Sequence, residues 1–328
     1  VKRIGIIFGG ANSEHEVSCN SARSVVENLD RTLFEGILIG IDKTGGWHRL
    51  ESVDALAGAT GGSRFPDLDG VDVVFPVLHG RFGEDGTVQG LLELAGVPYV
   101  GCGVLASALA MDKLITQRVL DACGIPTIPT HGITVESRHE VSQLASEIEY
   151  PVFVKPNRAG SSVGASRVNS PLELRAAVDL ALQHDKTALV QVAISGDELS
   201  IGVLQAADGS LEVGAPLRVR PRTAAFFDYE AKYTAGGADL EVPALLPAAV
   251  SEQLVQYAIE AFRALDCDGL ARIDFFLGED GTITLNEVNT LPGLTALSQY
   301  PRMWQAVGLS YTDLLSRLID RASVVFSA

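Results

Sequence analysis

Apolar residues along the chain recur with two periods, and each period predicts its own kind of element. Runs that are continuously apolar or alternate apolar with polar predict strands at 1–10 (VKRIGIIFGG), 34–41 (FEGILIGI) and 71–80 (VDVVFPVLHG). Two strands flank a loop in 151–168 (PVFVKPNRAGSSVGASRV), and two more flank Ser195-Gly196-Asp197 in 187–205. A further strand is expected at 210–220 (SLEVGAPLRVR), then a pair at 271–277 (ARIDFFL) and 282–289 (TITLNEVN). Helical spacing covers a segment capped by Asn12 or Ser13 and running to about Leu29, then 87–96, 108–124, 138–147, 171–183, 247–265 and 310–322. Strands alternating with helices up to about residue 101 predict an α/β domain on an open parallel sheet. The later strand pairs predict antiparallel sheets, an α+β texture. Residues 1 to about 101 are thus expected to form a first domain.

The 271–289 pair carries the densest chemistry. With Gly278–Gly281 as the connection, Leu277 opposes Thr282, and the ladder pairs Phe276 with Ile283, Asp274 with Leu285 and Arg272 with Glu287. Side chains alternate across a strand, so Arg272, Asp274 and Phe276 are expected to share a face with Ile283, Leu285, Glu287 and Asn289. That face is apolar near the turn. Its far end holds a cation, two carboxylates and an amide, and two carboxylates with an amide oxygen form the all-oxygen set that Mg²⁺ prefers. An Arg272–Glu287 pair on a solvated face is the plainer alternative.

Composition narrows the partners. The 328 residues are 47% hydrophobic and 20% charged, as in a globular protein of two or three domains. A net charge of −16 with no basic run argues against nucleic acid and against an anionic membrane surface. Phosphates must then be met by locally placed Lys, Arg, backbone N–H groups and metal ions. Four scattered cysteines without CxxC spacing suggest neither a zinc site nor a disulfide framework. Without a signal peptide or a membrane-length apolar run, the expected location is a reducing cytoplasm.

Further candidates lie where strands end in glycine-rich loops. Gly9-Gly10 leads into a helix whose first turn holds Glu14, where an anion favours the dipole and a capping role competes with a functional one. His79 ends another strand beside the loop Arg81–Gly86, a position where open α/β sheets bind ligands, although a lone His is more often structural. Lys155 precedes Arg158–Gly164, a small Gly/Ser loop whose N–H groups can wrap phosphate oxygens, yet no P-loop pattern is present. Glu198 opens a strand and can accept from ribose hydroxyls. Segment 222–246 has no period and holds Asp228, two tyrosines and Lys232 between glycines, the texture of a lid.

Seven segments in order, IFGGANSEHEVS, LHGRFGEDGTVQGLLELAGVPYVG, ALAMDK, VFVKPNRAGSSVG, FFDYEAKY, ARIDFFL and NEVNTLPG, resemble the D-alanine–D-alanine ligases of the ATP-grasp superfamily. The resemblance covers nearly the whole chain. It implies an N-terminal α/β domain, a central lid domain and a C-terminal domain, with ATP between two antiparallel sheets. It further implies that Lys113 and Lys155 contact the ATP phosphates under the 160–164 loop, with Ser161 and Ser162. Gln191, Ile194, Glu198 and Phe276 complete the nucleotide site. Asp274, Glu287 and Asn289 match ligands of two Mg²⁺ (or Mn²⁺) ions. Glu14 matches the group that holds the first D-alanine's ammonium, with His79 in the same subsite. Arg272 and the Gly293 N–H match the pair at the second substrate's carboxylate and the oxyanion, and Ser298 contacts that carboxylate. Ser161 and Tyr233 match a hydrogen-bonded triad with Glu14, and Lys232 sits beside it. The implied reaction is ATP-dependent joining of two D-alanines through a D-alanyl phosphate, for peptidoglycan precursors, by a cytoplasmic homodimer.

The sequence departs from the family pattern at two positions. Gln191 stands where the family usually has Glu near the adenine amino group. Gln299 stands where alanine-specific members tend to be apolar and vancomycin-resistance relatives carry Arg. An acceptor of D-serine or D-lactate therefore remains an alternative, although Tyr233 is retained where the depsipeptide makers carry a different loop. A non-catalytic ATP-binding protein on the same fold is the other alternative; such a chain is expected to lose the metal ligands or Arg272, and all four are present.

Overall fold

A computed structural model describes residues 1–160, 162–221 and 238–325. The apolar runs near the N-terminus form β1 (Lys2–Gly9), β2 (Phe34–Ile41) and β4 (Val73–Pro76), with β1 parallel to both neighbours. A short β3 (Trp47–Leu50) adds an antiparallel edge, giving the order β3-β2-β1-β4. Helix α1 (His15–Asn28) packs on this sheet, and α2 (Thr87–Ala95) follows the glycine-rich loop after β4. Neither candidate cap is used: α1 begins at His15 with Glu14 at the cap position and no side-chain capping bond, and Asn12 Oδ1 instead accepts from the Glu14 N–H at 2.9 Å in the turn ahead of the helix. Strand β4 stops at Pro76, so Val77–His79 leave the sheet edge and carry His79 into the cleft.

The helix expected over 108–124 is broken into α3 (Val104–Met111) and α4 (Lys113–Ala122). Asp112 is extended between them and caps α4, accepting from Ile115 N–H at 3.1 Å. The break places Lys113 at the first position of a helix, beside the Gly/Ser loop.

Beyond it, β5 (Thr130–Thr134), β6 (Val152–Pro156), β7 (Ser166–Val168) and β8 (Thr187–Val192) form an antiparallel sheet, order β5-β8-β6-β7. Helices α5 (Val141–Glu147) and α6 (Pro171–Ala181) cover one face through Val152, Val154, Ala188 and Val190. Alternation turns Phe153, Lys155, Leu189 and Gln191 to the other face.

The third sheet runs β12 (Ala238–Glu241), β11 (Leu217–Pro221), β9 (Gly196–Gln205), β13 (Leu270–Gly278) and β14 (Ile283–Asn289), with β10 (Leu211–Val213) on β9. Gly214-Ala215-Pro216 interrupts the strand expected over 210–220, so β11 (Leu217–Pro221) is separate and pairs with β12 (Ala238–Glu241). Helix α7 (Ala248–Ala264) buries Leu254, Ala258 and Phe262 against Ile201, Ile273, Phe275 and Leu285. Helices α8 (Gln299–Gln305) and α9 (Tyr311–Val325) pack on the opposite side. Leu314, Leu315, Leu318 and Ile319 of α9 join the core of the first sheet with Ile4, Ile6 and Phe8, so the C-terminal helix covers N-terminal strands. Among the described residues no helix is long and apolar enough to cross a membrane.

Candidate active site

The site is organised by β13 (Leu270–Gly278) and β14 (Ile283–Asn289). Their register differs from the alternation-based expectation. Leu277 faces Ile283, Phe276 faces Thr284 and Phe275 faces Leu285. A bulge at Asn286 then shifts the ladder, and Asp274 faces Glu287 while Arg272 faces Asn289. Before the bulge, Ile283 and Leu285 lie on the α7 side, in the core rather than on the site face. The extra residue restores Glu287 and Asn289 to the face of Arg272, Asp274 and Phe276. The polar end of that face is as expected from the sequence; the apolar end is Phe276 beside Thr284, without Ile283 or Leu285.

Asp274 is only 2% exposed, and four donors converge on its carboxylate. Oδ1 accepts from Ser200 Oγ at 2.7 Å and Arg272 Nε at 2.9 Å. Oδ2 accepts from Arg272 Nη2 at 2.7 Å and Asn289 Nδ2 at 2.9 Å. Burial works against the Arg272 charge, but Asp274, Glu287 and Glu198 outweigh it and hold the guanidinium above its usual pKa. Arg272 engages Asp274 through Nε and Nη2, so that ion pair does not use Nη1. Glu287 Oε2 lies 3.7 Å from Lys113 Nζ, and the same ammonium donates to Ala159 O at 3.0 Å. Lys113 thus bridges the loop after β6 and the hairpin. Two carboxylates drawing a guanidinium and an ammonium onto themselves form a cluster that demands positive charge, and with the Asn289 amide they suit a hard divalent cation.

A second group lies at the carboxyl ends of β1 and β4. Glu14, 8% exposed, reaches Gly80: a Cβ at Gly80 would lie 2.2 Å from Glu14 Oε2, and φ is +68°. Only glycine fits there. Glu14 also approaches Gly160, where a Cβ would be 3.5 Å from either carboxylate oxygen, so it sits between the His79–Gly80 turn and the Gly/Ser loop. His79 is buried beside Ser21 Oγ at 3.3 Å. Burial holds its imidazole below the ordinary pKa, aided by Arg272 and opposed by Glu14 and a hydrogen bond with the Leu291 backbone.

The remaining expected residues sort by position. Lys155 lies on β6, and Gln191 on β8 donates from Nε2 to Thr130 Oγ1 at 2.9 Å, both on the face of the central sheet that turns away from α5 and α6. Ile194 follows β8, and Glu198 on β9 opposes Phe276. Ser162 is described, with φ of +58°, whereas Ser161, Lys232 and Tyr233 lie outside the described residues. Ser298 precedes α8, with Oγ 2.7 Å from Thr295 Oγ1, and a Cβ at Gly293 would be 3.0 Å from that Oγ. Gln299 Oε1 lies 3.3 Å from Ser200 Oγ.

Two residues not singled out from the sequence belong here. Glu84, whose carboxylate accepts from the Gly80 N–H, is pushed up to about 8 by burial and then by Glu14, with Lys113 acting in the opposite sense. Its signal was present in the loop after His79. Ser200 is fully buried, and its signal is the polar alternation Glu198, Ser200 along an otherwise apolar strand.

A central antiparallel sheet and a larger antiparallel sheet, joined through Lys113 and the Gly/Ser loop around a carboxylate-bearing hairpin, define an ATP-grasp fold behind an α/β domain. Family models for the D-ala D-ala ligase N-terminus and C-terminus match residues 3–102 and 119–320. The chain is 45% identical to the D-alanine–D-alanine ligase of Mycobacterium ulcerans, across 98% of this chain and 95% of that protein. The same identity and coverage hold for the D-alanine–D-alanine ligase of Mycobacterium tuberculosis. The VanG D-Ala:D-Ser ligase structure from Enterococcus faecalis superposes with a TM-score of 0.87 at 36% identity, covering 98% of this chain and 99% of that one. The Bacillus anthracis D-alanine–D-alanine ligase complexed with ATP superposes with a TM-score of 0.81 at 29% identity, covering 100% and 99%. The chain belongs to the D-alanine–D-alanine ligase family.

Proposed function

We propose that this enzyme joins two D-alanines at the expense of ATP, through a D-alanyl phosphate, to make the dipeptide of peptidoglycan precursors. The observation that carries the reading is the hairpin face, where Asp274, Glu287 and Asn289 lie beside Arg272 and beneath Lys113. A carboxylate is a poor electrophile in water, and phosphorylation makes it an acyl donor. Asp274, Glu287 and Asn289 would hold two Mg²⁺ (or Mn²⁺), which when bound offset charge on the nucleotide phosphates. Lys113 and Lys155 meet the phosphate oxygens, under a loop carrying Ser161 and Ser162. Gln191, Ile194, Glu198 and Phe276 surround the nucleoside.

Glu14 receives the first D-alanine's ammonium, and His79 is held neutral beside it. Arg272 Nη1 and the Gly293 N–H face the second substrate's carboxylate and the oxyanion, with Ser298 and Gln299 at that subsite. Ser161 and Tyr233 join Glu14 in closing the loops over the intermediate, with Lys232 alongside, which excludes water. The proposed domains are 1–101 for the substrate, 102–191 as lid and 192–328 for catalysis. The proposal extends to a cytoplasmic homodimer.

D-serine as the acceptor is the second reading, favoured by Gln299 at a subsite that the VanG ligase likeness also brings into view. The test is product analysis with ATP, Mg²⁺ and a mixture of D-alanine, D-serine and D-lactate. D-alanyl-D-alanine formed one-to-one with ADP is expected. D-alanyl-D-serine as the main product moves the assignment to the second reading, and ATP turnover without any ligated product overturns both.

A further inference from the structure

Lys113 and Lys155, the two lysines assigned to the nucleotide phosphates, come from separate elements: Lys113 is the first residue of α4, and Lys155 lies on β6. Neither element by itself sets the distance between the two ammonium groups. One buried amide joins the elements. Asn157 follows β6, two residues after Lys155, and is 2% exposed. Its own N–H donates to the Thr187 carbonyl at 3.0 Å, which holds it at the end of the central sheet. Its Oδ1 accepts from the Leu114 N–H at 2.9 Å, and its Nδ2 donates to Asp112 Oδ1 at 2.7 Å. A backbone N–H only donates and an ionised carboxylate only accepts, so these two neighbours admit a single orientation of the amide.

The first turn of a helix leaves backbone N–H groups without intrahelical acceptors. In α4 they are met from two sides. Asp112 Oδ1 takes the Ile115 N–H at 3.1 Å, and Asn157, from a different element, takes the Leu114 N–H. The turn that carries Lys113 is therefore completed by a residue at the exit of β6. Asp112 is tied to the same exit: its Oδ2 accepts from Arg158 Nε at 2.8 Å and lies 2.7 Å from Arg158 Nη2. Burial works against the Asp112 charge, but the bonds from Asn157, Arg158 and Ile115 outweigh it and hold the carboxyl below its ordinary pKa. Lys113 Nζ in turn reaches the Ala159 carbonyl, two residues past Asn157, at 3.0 Å. Backbone and side chain of Lys113 are thus both anchored on residues 157–159.

We infer that Asn157 is a positioning residue for phosphoryl transfer: by closing the first turn of α4 from the end of β6, it holds Lys113 at a fixed place relative to Lys155. The inference rests on the function proposed above, in which these lysines meet the phosphates, and deepens it. Asn157 acts through Lys113. Alanine at 157 leaves the Leu114 N–H without its acceptor and Asp112 without one of its donors, which frees the start of α4. Aspartate at 157 keeps the acceptor for Leu114 but sets a second carboxylate against Asp112.

The test is calorimetric binding of a non-hydrolysable ATP analogue with Mg²⁺ to the full chain, which requires no turnover. It compares the wild type, Lys113→Met, Asn157→Ala and the double variant, with folding checked by circular dichroism. Lys113→Met is expected to weaken binding, and Asn157→Ala to weaken it roughly tenfold. Because Asn157 acts through Lys113, the double variant is expected to bind no more weakly than Lys113→Met alone. A residue that only supports the fold would add its own loss to that of Lys113→Met. Effects that multiply in the double variant therefore overturn the inference, as does an Asn157→Ala protein that binds like the wild type. If Asn157→Ala does not fold, Asn157→Asp decides: weakened binding that disappears in the Lys113→Met background supports the link, and wild-type binding overturns it. A Lys113→Met protein that binds like the wild type is a different result, which removes this lysine from the phosphates and so removes the reading on which the inference rests.

Discussion

Replacing Asp274 by Asn tests the electrostatic account of the hairpin. The side chain keeps its shape but loses its charge, and one of its two acceptor positions becomes a donor. Arg272 loses both oxygens of its bidentate partner as anions, at a guanidinium that is 18% exposed beside a carboxylate that is 3% exposed. Removing one member of a buried pair destabilises by about 3–5 kcal/mol, mainly because the other charge stays buried. An unfolding entropy of about 2.1 cal/mol/K per residue over 328 residues is ~0.7 kcal/mol/K, so the expected fall in Tm is ~4–7 °C. The assay is thermal melting of Asp274→Asn, Arg272→Met and the double variant without nucleotide. Removing both charges takes away the uncompensated cation, so the double variant is expected to melt above Asp274→Asn. An Asp274→Asn protein that melts with the wild type, or a double variant whose losses simply add, would refute the reasoning.

Other substitutions separate the remaining parts of the site. Gly80→Ala places a methyl against Glu14 and forces a left-handed residue at about 1–2 kcal/mol; the expected result is a raised KM for the first D-alanine with the fold retained by circular dichroism. Lys113→Met removes a donor shared by the Ala159 carbonyl and Glu287; a charge-assisted hydrogen bond contributes about 1.5–3 kcal/mol, so KM for ATP is expected to rise roughly 10–100-fold. Glu84 is held up to about 8 in the fold, against an ordinary carboxylate in the unfolded chain. The folded state therefore binds the extra proton, and stability is lost as pH rises between about 4.5 and 8. Glu84→Gln abolishes this contribution, so its Tm relative to wild type is expected to increase across that window; parallel pH profiles would remove Glu84 from the buried cluster.

The sequence carried the strands and most helices because their burial is local. Phe275, Ile273 and Ala271 alternate with Phe276, Asp274 and Arg272, and that alternation alone put the acid face together. Strand pairing is not local. The bulge at Asn286 has no marker in the alternation, so a regular ladder mispaired Asp274 with Leu285 and drew Ile283 and Leu285 onto the wrong face. Glu287 and Asn289 were still assigned to the correct face, because the one-residue shift near the turn and the extra residue restore the same parity. The break at Asp112 was masked by an apolar spacing that continues across it. An Asp before a helix-compatible run is a capping signal, and reading it would have divided the helix there. The roles of Ser200 and Glu84 needed tertiary information: one is bonded because Asp274 lies across the ladder, and the other is perturbed first by burial and then by Glu14.

The central claim is that Asp274, Glu287 and Asn289 present their oxygens together to divalent cations at the nucleotide phosphates. Diffraction from crystals grown with Mn²⁺ and a non-hydrolysable ATP analogue, recorded for the anomalous signal of manganese, tests it most directly. The account predicts anomalous peaks within bonding distance of these three side chains and of the phosphate oxygens, with Arg272 alongside. Peaks elsewhere, or a bound nucleotide with these carboxylates still engaged only by Arg272 and Lys113, would contradict it.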